Sequence, residues 1–157
     1  ANGVLKAYHS NGSWVQYFIN GSSPAALNTW HHIVVVNDNG AGSSYMNGVL
    51  TGTASGLATN HGSTHNHGSV GSSTAYAGAL DGYVDELSLY TRALSLADVE
   101  ALYNGGNGPS DIASLNPAHW WRMGDSESSP SSTTITDIAG SSDGTLQNGA
   151  TIATVTP

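Results

Sequence analysis

One stretch constrains this chain more than any other: residues 80–104, LDGYVDELSLYTRALSLADVEALYN. It reads as a strand, a short turn and a capped helix. Strict alternation over 83–90 puts Tyr83, Asp85, Leu87 and Leu89 on one face and Val84, Glu86, Ser88 and Tyr90 on the other. The helix opens at Ser95. Its hydroxyl can accept a free first-turn amide, and Asp98 suits the positive end of the helix. Leu96, Val99, Leu102 and Tyr103 form the apolar stripe. Gly105 and Gly106 are expected to stop the helix in the left-handed conformation.

The rest of the chain is strand punctuated by turns. Residues 4–9 and 14–19 flank Asn11-Gly12, a two-residue hairpin signal, and Asn20-Gly21 ends the second strand. Residues 30–36 form the strongest candidate, with four β-branched residues from Ile33 to Val36. His31 and His32 fall at its start, one on each face. Tyr45 and Met46 lead into Asn47-Gly48, and 49–53 return. Residues 54–69 read as a polar loop, and 70–77 as a further strand of small residues. Many short strands, glycine-rich turns and one helix near 95–104 predict an all-β sandwich or jelly roll.

Two blocks carry a family resemblance. Residues 80–104 resemble the closing segment of laminin-G-like jelly rolls, a branch of the concanavalin-A-like β-sandwiches. Residues 29–52, TWHHIVVVNDNGAGSSYMNGVLTG, are similar to the central hairpins of the same group. The resemblance implies an antiparallel sandwich over 1–108, lacking its usual N-terminal strands, followed by a linker over 109–117. The tail, HWWRMGDSESSPSSTTITDIAGSSDGTLQNG, is similar to a pattern that usually opens such a domain, with Thr-x-Thr-Asp-x-x-Gly and Asp-Gly-Thr-Leu. Here it comes last. A circular permutation, a chain spanning two repeats, or a strand pair lent to a neighbouring subunit would each account for that order. Segment 118–157 then completes the same sandwich or pairs with another subunit. The order of the tail motifs also resembles the C-terminal end of marine tailed-phage structural proteins. That would make Pro157 a true C-terminus and Ala1 an internal start.

Charge narrows the partners. The formal net charge is −8, yet only 9% of the 157 residues are charged, and Lys6, Arg92 and Arg122 are the sole lysines and arginines. Nucleic acid is a poor partner, because neutralising phosphate needs clustered cations. Anionic membrane surfaces are disfavoured for the same reason. No apolar run approaches the roughly 20 residues that span a bilayer. Without cysteine there are no disulfides, thiolate metal sites or thiol nucleophiles.

Candidate sites follow from chemistry. Concanavalin-A-like glucanases place carboxylates two and four residues apart on one strand face. Asp85-Glu86 are adjacent, so a strand would point them apart, and no enzyme is expected. Asp85 is expected to pair with Arg92 across the turn. Arg122 is expected to stack on a neighbouring indole or pair with Asp125. Trp14, Tyr17, Tyr76 and Trp120 are candidate sugar platforms. Trp120 and Trp121 alternate, so at most one of the two is free. Asp137 and Asp143 could offer oxygens to calcium, the ion the resemblance implies where one is bound. His61, His65 and His67 have the spacing for a transition metal. The expected function is a non-enzymatic assembly or adhesion module of a phage virion, acting as a homo-oligomer or with other virion proteins and contacting surface polysaccharide. The alternative is a secreted, extracellular bacterial carbohydrate-binding module, with or without calcium.

Overall fold

The computed structural model describes residues 6–10, 15–19, 25–59, 68–73, 76–108, 111–125 and 132–153. The regular structure of the described residues is mostly β-strand, with one short α-helix. The chain groups into two compact units, residues 1–66 with 92–110, and residues 67–91 with 111–157. Residues 67–91 group with the C-terminal segment. The Asn11-Gly12 hairpin and the Asn20-Gly21 stop lie outside the described residues.

In the first unit, strands β1 (Lys6–Ser10) and β2 (Val15–Ile19) pair antiparallel, with Tyr8 opposite Tyr17. Strands β3 (Ile33–Asp38), β4 (Ala41–Met46) and β5 (Val49–Ala54) form a meander in that order. Two Asn-Gly turns connect it: Asn39 and Gly40 at φ 48° and 93°, Asn47 and Gly48 at φ 53° and 78°. Both residues of each pair take positive φ, as a two-residue turn matched to strand twist requires. Between β4 and β5 a bulge leaves Thr51 extra, and its hydroxyl donates to the Ser44 carbonyl at 3.1 Å. Strand β3 alternates cleanly. Val34 and Val36 face inward and pack with Val99, Tyr45, Ala93 and Leu94, while Ile33 and Val35 face out.

β3 starts three residues later than the pattern suggested. His31 and His32 precede it and do not alternate across a strand. Asn47 explains the boundary: its side chain accepts from the His32 amide and its own amide donates to the His32 carbonyl, both at 2.9 Å. The His32 ring stacks on Tyr103 at 5.9 Å, and burial pushes its pKa down. Gly48 is required beneath that ring pair, since a Cβ there would lie 3.0 Å from Tyr103 Cδ1.

Helix α1 (Leu96–Tyr103) starts where its capping chemistry says. Ser95 Oγ accepts from the Asp98 amide at 3.2 Å, and Asp98 Oδ2 accepts from the Ser95 amide at 2.8 Å. Val99 and Leu102 are buried. The left-handed stop is taken first by Asn104 (φ 45°), then continued by Gly105 and Gly106. Arg92 Nη1 donates to Asp98 Oδ2 at 2.8 Å, a local bridge at the start of the helix. Arg92 first, then Ser95, hold the Asp98 carboxyl well below the usual carboxylate range. Ser95→Ala is expected to cost about 1 kcal/mol. Asp98 has a depressed folded pKa, so its contribution is full above the unfolded value, about 4, and is lost as pH falls below it. The difference between wild type and Ser95→Ala, measured by circular-dichroism melts, should therefore narrow in acid.

The second unit contains β6 (Ser72–Ser73) paired with β7 (Tyr76–Ala79), β8 (Leu87–Leu89) paired with β9 (His119–Trp121), and β10 (Thr134–Ile135) paired with β11 (Gly144–Thr145). A 3₁₀ turn at Ala113–Leu115 sits in the expected linker. The strand foreseen over 83–90 shrinks to three residues because Glu86 takes φ 51°, a left-handed backbone that ends extended pairing. The tail pairs within the chain: Leu87 opposes Trp121, Ser88 opposes Trp120, and Leu89 opposes His119. Trp120, Ile112 and Ile135 are buried.

Candidate functional site

The polar chemistry of the second unit is organised on the two faces of the β8–β9 ribbon. Directly opposite residues of an antiparallel pair share a face. Trp120 therefore faces inward with Ser88, whereas Leu87, Leu89, His119 and Trp121 share the other side.

On the inward side, Trp120 is 6% exposed. Its indole Nε1 donates to Glu86 Oε2 at 2.6 Å, and Arg122 Nε donates to Glu86 Oε1 at 2.9 Å. Arg122 Nη2 also reaches Asp125 Oδ2 at 2.9 Å, and its Cζ lies 5.4 Å from the Trp120 ring centroid. Both expected roles of Arg122 are thus filled at once. The hydrogen bond that Arg122 donates to Glu86 leads in raising the Arg122 pKa. Asp85 Oδ1 accepts from the Glu86 amide at 3.0 Å. Burial, and then the charge of Glu86, raise the Asp85 pKa. The left-handed kink at Glu86 is what turns its carboxylate to meet two donors contributed by β9 and the residue after it.

Behind β9 lies a second centre, at Asp137. Its side chain is fully buried. Oδ1 accepts from the amides of Trp120 (2.9 Å), Gly140 (2.9 Å) and Ala139 (3.3 Å). Oδ2 accepts from His119 Nδ1 (2.6 Å) and the Ser142 amide (3.0 Å). Burial opposes ionisation, but His119 and these amides outweigh it and hold the carboxyl well below the usual range. Asp143 Oδ1 in turn accepts from the Asp137 amide at 2.9 Å. Gly140 must be glycine by close approach: a Cβ there would lie 2.5 Å from His119 Nδ1 and 2.6 Å from Asp137 Oδ2. This is the physical content of the Asp-x-x-Gly pattern in the tail.

The outer side carries a different arrangement. The Trp121 and His119 rings stack nearly parallel, with centroids 5.4 Å apart and 11° between planes. Trp121 Nε1 donates to the Ser142 carbonyl at 2.8 Å, so both rings are anchored to the loop that Asp137 organises. His119 and Trp121 are half-buried, and Leu89 beside them is 50% exposed.

The family model described as "Concanavalin A-like lectin/glucanases superfamily" (Laminin_G_3) matches residues 1–100. The chain belongs to that superfamily. No curated protein sequence matches it. Among solved structures it is similar to an S-layer domain-containing protein from Clostridium thermocellum, with 21% identity and a TM-score of 0.47 over 66% of this chain. The chain spans 64% of that structure's length.

For this lectin/glucanase-superfamily member, several expected site residues need correction. Trp120 is no platform: it is buried and its indole nitrogen is held by Glu86. Its neighbour Trp121 occupies the accessible side; alternation separates the two rings but does not say which one is covered. Asp137 does not offer oxygens to calcium, because protein donors occupy both of them, and Asp143 steadies Asp137 instead. Among the described residues no three histidine or acidic side chains group as metal ligands. Trp14, His61, His65 and His67 lie outside the described residues, as do the side chains of Tyr17 and Tyr76. No helix among the described residues is long and apolar enough to cross a membrane.

Proposed function

We propose that this chain is a carbohydrate-binding module that acts outside the cell and binds without cleaving. The observation that carries the reading is the Trp121–His119 stack. An indole held at its nitrogen and along one side is a preorganised surface for the apolar face of a sugar ring, so little entropy is lost on binding. The exposed Leu89 extends that surface. The strong acidic balance of the chain, net −8, favours neutral over anionic glycans.

The absence of cleavage is argued from Glu86. Hydrolysis of a glycosidic bond asks one carboxylate to attack, or to activate water, while a second protonates the leaving group. Both oxygens of Glu86 are occupied by Trp120 and Arg122, and Asp85 accepts from the Glu86 backbone. The virion reading rests on the resemblance of the tail motifs. The structure gives part of that pattern, the Asp-x-x-Gly around Asp137, a folding role that calls for no virion.

A panel of immobilised polysaccharides tests this. The wild-type chain should retain at least one neutral glycan with no release of reducing sugar, and chelator should leave binding unchanged. Trp121→Ala should weaken binding about tenfold, near 1.4 kcal/mol, while lowering the melting temperature less than Trp120→Ala. Flat responses across the panel, or equal binding by Trp121→Ala, would remove this reading.

A further inference from the structure

Eight Asn-Gly pairs occur in this chain, beginning at residues 2, 11, 20, 39, 47, 104, 107 and 148. Asn-Gly is the dipeptide most prone to spontaneous deamidation, because glycine leaves its amide nitrogen open to attack the preceding side chain. The reaction needs the asparagine side chain to swing until Cγ meets that nitrogen. Anything that holds the side-chain amide or the glycine amide slows it.

Five of these pairs are described, and four are held. Gly40 donates its amide to Asn37 Oδ1 at 3.0 Å, and Asn39 Nδ2 donates to Asp38 at 3.1 Å. Asn47 Oδ1 accepts from the His32 amide at 2.9 Å. Asn104 Nδ2 donates to the Gly108 carbonyl at 3.0 Å, and Asn107 Nδ2 to the Asn104 carbonyl at 3.2 Å. Asn148 differs. It sits at φ 54° in an exposed turn closed by Ala150 N to Gln147 O at 3.1 Å. Its side chain makes no hydrogen bond to a described residue; open space at the glycine, which Gly149 shares with Gly105 and Gly108, does not set it apart.

We propose that Asn148 is the first modification site among the five described pairs, converting through a cyclic imide to aspartate and isoaspartate. The Gly149 amide nitrogen loses its proton and bonds to Asn148 Cγ. The Cγ–Nδ2 bond breaks, and the nitrogen leaves with that proton as ammonia. Water then opens the imide, at Cγ to give aspartate or at the main-chain carbonyl to give isoaspartate. Either product adds one negative charge to a chain already at −8. Isoaspartate also inserts a methylene into the backbone of the turn and removes the asparagine that suited its left-handed φ.

The test is slow incubation of the folded chain at neutral pH and body temperature, followed by fragmentation mass spectrometry. The amide-to-acid mass gain should appear at Asn148 several-fold faster than at Asn39, Asn47, Asn104 or Asn107. Labelling by an isoaspartyl methyltransferase should rise in parallel and fall by most of its amplitude in Asn148→Gln. In urea the five rates should converge, because the fold alone separates them. Conversion at Asn47 or Asn104 as fast as at Asn148 in the folded chain would overturn the assignment, as would rates that stay equally unequal in urea.

Discussion

Asp137→Asn is expected to destabilise the second unit by about 3–5 kcal/mol, the range for removing one partner of a buried charged network. The wild-type carboxylate accepts five hydrogen bonds with two oxygens. An amide keeps one acceptor and turns its other end into a donor, which would face donors. Amides of β9 and of the loop would then be left buried and unpaired. For a chain of this length the midpoint of the tryptophan-fluorescence melt should fall by roughly 10 °C. Gly140→Ala should act on the same centre from the other side, by pushing a methyl group against His119 and Asp137. Acid should reproduce the effect. The folded pKa of Asp137 is depressed, so its stabilisation is complete above the unfolded value near 4 and is lost as pH falls through it toward the folded one. The Asp137→Asn variant should accordingly lose less stability than wild type between neutral pH and pH ~3. An Asp137→Asn melt within a degree or two of wild type would show that the carboxylate is not the organiser of this region.

What could be seen in the sequence was local chemistry. Ser95 and Asp98 cap each other across three residues, and Asn47-Gly48 make a turn by their own torsions, so both were legible. The strand over 83–90 was not. Its alternation is real, but Glu86 is drawn into a left-handed kink beside donors 34 and 36 residues away. Arg92 shows a second limit: the acid six residues along, Asp98, reads in the sequence only as a cap and not as its ion-pair partner. The tail residues show a third limit. Asp137 in a Gly/Ser loop reads equally as a calcium ligand or as an acceptor of backbone amides, and only the fold reveals that the amides are there. Alternation separated Trp120 from Trp121 without saying which side would be covered.

That last ambiguity yields the second large effect. Trp120→Ala should cost about 3–5 kcal/mol, the usual range for emptying a buried aromatic site. It also strips Glu86 of one donor and Arg122 of the ring beneath it. Trp120→Phe separates the two contributions. It keeps most of the apolar volume but leaves Glu86 Oε2 without its indole partner, for a cost of about 1–3 kcal/mol. The kink at Glu86 is held by these same donors. Glu86→Gln keeps one acceptor but turns the other oxygen into a donor facing a donor, and loses the charge that pairs with Arg122, so it should destabilise as well. The neighbouring position sets the contrast. Trp121→Ala removes a half-buried ring and its bond to the Ser142 carbonyl, so it should lower the melt clearly less than Trp120→Ala while weakening glycan retention. Adjacent tryptophans would then report separate properties, fold for one and ligand for the other. If Trp121→Ala were the destabilising change and Trp120→Ala the silent one, the two faces of the β8–β9 ribbon would have to be exchanged, and the platform with them.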